Sequence, residues 1–286
     1  RQRQMCIRDR DIRKKVRDAK RIVIKIGSSS ITHSETGELN LSKIEKLIRR
    51  IADLKGAGKE VILVSSGAIA TGRHSLGINE KPSTLCEKQA LAAIGQARLI
   101  MEYRKLFSEY SIRIAQILMT KTTITDDTYR DNAKATFTQL LAYGAVPIVN
   151  ENDTISTYEI QFGDNDRLSA LVSALTEADL LILLSDIDGL YTDDPNTNKD
   201  AKFIDYVDDV DKYMSMGKST SKSNLGTGGM YTKLLAAQIA TNSGCDMVIA
   251  SASDMSIIEN IAKGEKIGTY FPAKQNKDFD WLNCLE

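Results

Sequence analysis

A chain of 286 residues can bury a full apolar core without disulfide or metal staples, and it is long enough for one large α/β domain or two modest ones. Lys plus Arg and Asp plus Glu both number 38, so no net field draws the chain to nucleic acid or to an anionic membrane, and a small-molecule partner is expected. Its four cysteines, Cys6, Cys86, Cys245 and Cys284, include no C-x-x-C pair, and no apolar run approaches the ~20 residues that span a bilayer, which predicts reduced thiols, a cytoplasmic location and no membrane partner.

Residues 1–18 are rich in Arg and Lys and poor in apolar residues. No aromatic side chain is interleaved with the charges, so the segment reads as a disordered, solvated extension or a remnant of assembly rather than a nucleic-acid arm. It is expected to add little to the core.

The first strand reads RIVIKI over residues 21–26 and is followed by GSSS. A strand covered on both faces tolerates an ammonium poorly unless an anion replaces the lost water. Lys25 therefore has two readings: its stem lies on apolar surface with the charge in water, or it meets an anion. Gly27 and the serines favour the second, because small residues after a parallel strand let backbone N–H groups approach a phosphate.

Beyond it, short β-branched runs alternate with longer helical patterns. Helices are predicted in LSKIEKLIRRIADLKGAG, TLCEKQALAAIGQARLIMEYRKLFSEY, NAKATFTQLLAYG and MYTKLLAAQIATNSG, and strands in EVILVSS, IRIAQILM, AVPIVN, DLLILLS and DMVIA. This alternation predicts an α/β fold with a mostly parallel central sheet covered by helices on both sides. Ligands of such sheets bind beyond the carboxyl ends of the strands, so chemistry is sought in KIGSSS, VSSGA, IVNENDT, LLSDIDG and GTGGMYTK.

Neither standard nucleotide motif is present. The GKS at residues 217–219 would need a glycine where Lys212 stands, and GTGGMY places Tyr231 where a dinucleotide fingerprint needs a small residue. The acidic run from Asp186 does not fit a calcium loop, because Gly189 comes too early for its turn. Asp186 itself ends an apolar strand, where a ribose or base could be held. Gly228 and Gly229 precede a helical pattern whose first turn carries Lys233, a second cation facing an anion-binding helix start. A flexible loop before a surface lysine is the plainer alternative.

Two polar clusters remain, NENDT at residues 150–154 and GDND at residues 163–166. Helix capping explains one of the acids Asp153, Asp164 and Asp166 but not all three, and together they suggest a site for cations: a substrate ammonium and one or both lysines. His33 and His74 lie in polar stretches without companions at metal spacing, so no metal ligand and no histidine base is expected. Phosphoryl transfer to a carboxylate needs no base, since a group of pKa ~4.3 is already ionised at neutral pH.

In this order, KIGSSS, VSSGAIATG, NENDT, FGDNDRLSA, LLSDIDGLY and GTGGMYTK resemble the glutamate 5-kinase branch of the amino acid kinase family, in its short form lacking a C-terminal domain similar to RNA-modification modules. The resemblance runs from about residue 20 to about residue 271, and places a kinase domain at 19–274 with a tail at 275–286. It implies a three-layer αβα sandwich, transfer of the ATP γ-phosphate to the side-chain carboxylate of L-glutamate as the first step of proline biosynthesis, Mg as companion of ATP, and a homo-oligomer. By motif, Lys25 and Lys233 would neutralise the transferring group and Asp166 would hold them. Ser66, Gly67, Asp153, Asp164 and Asn165 match glutamate-binding positions. Lys25, Gly27, Ser185, Asp186, Thr227, Gly228, Gly229, Met230, Tyr231, Thr232 and Lys233 match ATP-binding positions.

Aspartate, acetylglutamate or carbamate as acceptor keeps the same fold, and a sensor of amino acids or nucleotides that has lost catalysis is the reading from another class. The paired acidic motifs favour an acceptor with a free amino group, and retention of both lysines with Asp166 speaks against a sensor. Free proline is expected to compete with glutamate, with residues 154–162, notably Glu159 and Ile160, setting the sensitivity.

Overall fold

Strand β1 (Arg21–Ile26) lies at the centre of a seven-stranded sheet and pairs in parallel with β2 (Glu60–Ser65) on one side and β5 (Leu180–Ser185) on the other. The computed structural model describes residues 14–33, 35–157, 164–193, 198–214 and 229–285. Beyond β2 come β4 (Val146–Glu151) and the edge strand β3 (Ile114–Met119); beyond β5 come β8 (Asp246–Ser251) and the antiparallel β9 (Thr269–Phe271). A two-residue hairpin, β6 (Leu190–Tyr191) with β7 (Phe203–Ile204), forms a separate small sheet.

The expected α/β sandwich is present. On one face α1 (Leu41–Gly56), α3 (Leu85–Ser108) and α7 (Ser256–Ala262) bury Ile48, Leu99, Tyr103 and Ile258 against Ile22, Ile24, Leu63 and Ile182. On the other, α4 (Asp127–Ala142), α5 (Asn165–Leu175) and α6 (Met230–Asn242) bury Phe137, Leu171 and Ile239 against Val23, Val64, Leu181 and Ile249. The two-residue period of a strand sends Ile22, Ile24 and Ile26 to the first face and Val23 to the second. Lys25 falls on the second face, toward α5 and α6.

Helix α2 (Ala68–Ser75) crosses α3 with almost no space between the backbones. A Cβ built on Gly95 would stand 1.7 Å from the carbonyl oxygen of Ala68, and one on Gly72 would stand 2.0 Å from that of Leu91. Only glycine permits this approach. It brings the next residue of α3, Gln96, to the end of β4.

The expectation for the N-terminal extension is revised where the structure describes it. Residues 14–18 are helical, Val16 joins the core at 5 % exposure, and Lys15 Nζ lies 2.8 Å from the buried carboxylate of Asp246. Amphipathic spacing is hard to see in so short and charged a segment. Residues 1–13 lie outside the described part. The hairpin, α2, α7 and β9 were not foreseen either, because two- to eight-residue elements carry too few periods to register.

Candidate active site

The end of β1 delivers Lys25, the first turn of α5 delivers Asp166, and the first turn of α6 delivers Lys233. Lys25 Nζ stands 2.5 Å from Asp166 Oδ1, and Lys233 Nζ donates to Asp166 Oδ2 at 3.0 Å. Thr232 Oγ1 lies 3.4 Å from Oδ2 and donates its proton to Gly229 O at 2.8 Å. Asp166 is 0 % exposed, Lys233 5 % and Lys25 9 %. Burial pushes the Asp166 carboxyl up, but the two ammonium groups outweigh it and hold the carboxyl below its ordinary range. One carboxylate against two ammonium groups leaves a net positive charge in a dry site. That charge asks for an anion.

Helix α6 starts at Gly229, which offers no side-chain cap. The first four N–H groups of an α-helix have no partner within it, so the start of α6 adds donors and a positive dipole end beside Lys233. Gly27 caps the short turn Ser28–Ile31 after β1, and a Cβ there would lie 3.5 Å from Lys25 Nζ, covering one side of the ammonium.

A second cluster adjoins the first through α5. Asn165 Nδ2 donates to Ser66 Oγ at 2.7 Å and to Asn150 Oδ1 at 2.9 Å. Asn150 Nδ2 donates to Gln96 Oε1 at 2.9 Å. Gly67, between Ser66 and α2, has φ +109°, a left-handed conformation that turns the chain sharply after β2. Asp164 caps α5 by accepting from Arg167 N at 2.9 Å; burial and the neighbouring charge of Asp166 push its carboxyl up. Burial alone pushes Asp153 up to about 6.

Of the expected residues, Lys25, Lys233, Asp166 and Thr232 meet, as do Ser66 and Asn165, with Gly67 and Asp164 beside them. Ser185 and Asp186 pair with each other, Ser185 Oγ donating to Asp186 Oδ1 at 2.9 Å at the end of β5, the strand next to Lys25. No hydrogen bond or ion pair among the described residues joins them to the lysines. Met230 and Tyr231 occupy the first turn of α6. Thr227, Gly228, Glu159, Ile160 and the GKS at 217–219 lie outside the described residues. Gln96 and Asn150 were missed as site residues. The available signal for Gln96 was an amide on the core-facing side of α3, in register with Ala92, Leu99 and Tyr103.

Among the described residues no group of three or more His, Cys, Asp or Glu could hold a metal ion, and no helix is long and apolar enough to cross a membrane.

A profile of the amino acid kinase family matches residues 20–251. The glutamate 5-kinase of Carboxydothermus hydrogenoformans is 51 % identical over 273 residues, covering 95 % of this chain and 73 % of that protein. That of Clostridium perfringens is 49 % identical over 270 residues, covering 93 % of this chain and 100 % of that one. Among solved structures, the Giardia lamblia carbamate kinase bound to AMP-PNP superposes with a TM-score of 0.63 at 16 % identity, covering 90 % of this chain and 100 % of that one. The UMP kinase from Bacillus anthracis superposes with a TM-score of 0.61 at 16 % identity, over 90 % and 97 %. These two likenesses concern the fold alone.

Proposed function

We propose that this chain, which belongs to the amino acid kinase family and within it to the glutamate 5-kinases, transfers the γ-phosphoryl group of ATP to the side-chain carboxylate of L-glutamate. The observation that carries the reading is the buried pair Lys25 and Lys233 gripping one carboxylate, Asp166, beside the polar chain Ser66, Asn165, Asn150 and Gln96. The product is L-glutamyl 5-phosphate, and the family's role is the first step of proline biosynthesis.

The transferring phosphoryl group spreads negative charge over its equatorial oxygens, so catalysis consists of positioning and charge stabilisation. Lys25 and Lys233 approach from two elements and would neutralise that charge from two sides. Asp166 is a positioning residue: ionised and saturated by both lysines, it fixes their spacing before ATP arrives. The nucleophile is the glutamate carboxylate, already ionised at neutral pH, so no protein base is required. Ser66 and Asn165 would orient that carboxylate, while Asp153 and Asp164 would hold the α-ammonium. Ser185, Asp186, Gly27 and residues 227–233 would bind the nucleotide, the α6 start receiving its phosphates.

Magnesium fits as a companion of ATP. Asp166 is taken by the two ammonium groups, so the ion would be held by the phosphates and water with little help from protein carboxylates, as this small cation accepts. When bound, it would supply further neutralisation of the phosphate charge.

A homo-oligomer in the cytoplasm remains part of this reading. Its support is an outward stripe on α3, with Ile94 40 % and Met101 67 % exposed, beside an edge strand β3 that is only partly buried. Light scattering of the purified protein gives the assembly state. The function is tested by following ADP release with glutamate, aspartate and acetylglutamate in parallel. Turnover with glutamate alone supports the reading, and preference for another acceptor replaces it.

A further inference from the structure

Helix α3 reaches the site through Gln96, a buried amide that follows Gly95, where the absence of a side chain lets α3 lie against α2. Gln96 Oε1 accepts from Asn150 Nδ2 at 2.9 Å, and Asn150 Oδ1 accepts from Asn165 Nδ2, also at 2.9 Å. The same Asn165 nitrogen donates to Ser66 Oγ at 2.7 Å. Side chains from α3, from β4, from α5 and from the loop after β2 thus form one continuous chain of hydrogen bonds.

The direction of every bond in that chain is fixed at a single point. Asn150 Oδ1 also accepts from the backbone N–H of Glu151 at 2.9 Å. A backbone N–H can only donate, so the Asn150 atom beside it is the carbonyl oxygen, and the amide nitrogen faces Gln96. Gln96 must answer with its own carbonyl oxygen. On the other side Asn165 must turn its nitrogen toward Asn150, and the two hydrogens of that nitrogen go to Asn150 and to Ser66. Asn165 keeps only its carbonyl oxygen for a ligand. Ser66 Oγ has a lone pair occupied by Asn165, and no hydrogen bond among the described residues takes its proton, so the hydroxyl is left as a donor. A carboxylate is the acceptor that such a donor suits.

We propose that Gln96 is a positioning residue for the phosphoryl acceptor: by accepting from Asn150 it holds the amide chain in this one polarity, so that Ser66 presents its proton to the acceptor carboxylate. Asn150 is buried, and its nitrogen has little water to turn to. Loss of the Gln96 oxygen leaves a buried donor unsatisfied and favours rotations of the Asn150 amide that break its bond to Asn165. Ser66 is then no longer held. The nucleotide would be bound by other residues, Ser185, Asp186 and the start of α6, so a fault in the chain is read on the acceptor.

This inference rests on the glutamate kinase reading, and wild-type turnover of glutamate in the same assay separates failure of that reading from failure of this one. Gln96→Met keeps a long unbranched side chain but offers no acceptor oxygen. It is expected to raise the glutamate KM about tenfold, roughly the worth of one buried hydrogen bond, and to leave the ATP KM within about twofold of normal. A merely structural role would not separate the two constants. Because the effect passes through Ser66, Gln96→Met and Ser66→Ala are expected to be non-additive, the double variant's glutamate KM falling about fivefold or more short of the product of the two single effects. Gln96→Ala, equally without an acceptor and adding no bulk, takes the place of Gln96→Met should that variant fail to fold. With the wild type active, a glutamate KM within about twofold of normal in the folded variant overturns the proposal. So does an ATP KM that rises as far as the glutamate KM, or a double variant whose effects simply multiply.

Discussion

Lys233 and Asp166 face each other across the seam of α6 and α5, with Nζ 3.0 Å from Oδ2 and both side chains almost wholly buried. With Lys25 on the other carboxylate oxygen, the triad carries one surplus positive charge in a region that water hardly reaches. Such a charge is poorly solvated until an anion arrives, which is the condition for strong stabilisation of a phosphoryl group in flight.

Lys25→Met and Lys233→Met are each expected to lower kcat by about 10²–10³ while the glutamate KM changes little. Methionine keeps the stem packed against its neighbours, and loss of one ammonium leaves Asp166 neutralised by the other. Steady-state kinetics on folded variants decides: a Lys25→Met enzyme with near-normal kcat removes the strand lysine from the mechanism.

Asp153→Asn should separate binding from stability. Its folded carboxyl is raised by burial to about 6 from an ordinary value of 3.8, so this group's favourable contribution to stability is fully present below pH 3.8 and lost as pH rises through about 6. The neutral amide escapes that cost. The variant is expected to gain about 1–3 kcal/mol at pH 8 without ligand and little at pH 3.5, while its glutamate KM rises far more than its ATP KM. In the wild type the glutamate KM should climb as pH falls through about 6, as the carboxylate that would hold the ammonium becomes protonated. Melting curves at the two pH values, with KM for each substrate, test both halves. Equal KM effects on the two substrates move Asp153 out of the glutamate site.

Gly95→Ala is expected to be among the most damaging single-methyl additions in the chain. The new Cβ would lie 1.7 Å from the Ala68 carbonyl oxygen and 2.5 Å from the Gly72 amide nitrogen, both backbone atoms that no rotamer change can move. Forcing α2 and α3 apart should cost at least ~3 kcal/mol, at the upper end of overpacking effects. It would also withdraw Gln96 from Asn150. Gly56→Ala, where a Cβ meets nothing within 4 Å, is the control. Comparable melting temperatures for the two variants would show that the helices can separate freely.

Free proline should compete with glutamate. It keeps the cationic nitrogen and the α-carboxylate but lacks a side-chain carboxylate to attack ATP, so it could occupy the cradle that Asp153, Asp164 and Asn165 are proposed to form without reacting. Initial rates against glutamate at several fixed proline concentrations should share one Vmax with a rising apparent KM. A falling Vmax at constant KM points to a separate effector site, and no inhibition at millimolar proline ends the idea.

Much of this was legible in the chain itself. An ammonium at Lys25 inside RIVIKI is costly to keep dry and alone, so with Gly27 and the serines after it the sequence favoured a negative partner over a charge left in water, and the alternation of strand and helix patterns predicted a mostly parallel sheet whose strand ends carry the polar motifs. Local rules reach that far because periodicity and desolvation act over a few residues. They do not say which acid answers which lysine. That Asp166 takes both ammonium groups while Asp164 caps a helix and Asp153 is left with a raised pKa follows from where α5 lands on the sheet. The role of Gln96 depends on two glycines, Gly72 and Gly95, that matter only once α2 and α3 touch. The turn Trp281–Leu285 meets α6 and the short helix Lys121–Thr125 only because the chain doubles back after β9. These are contacts between segments far apart in sequence, and only the packing of the whole chain sets their distances.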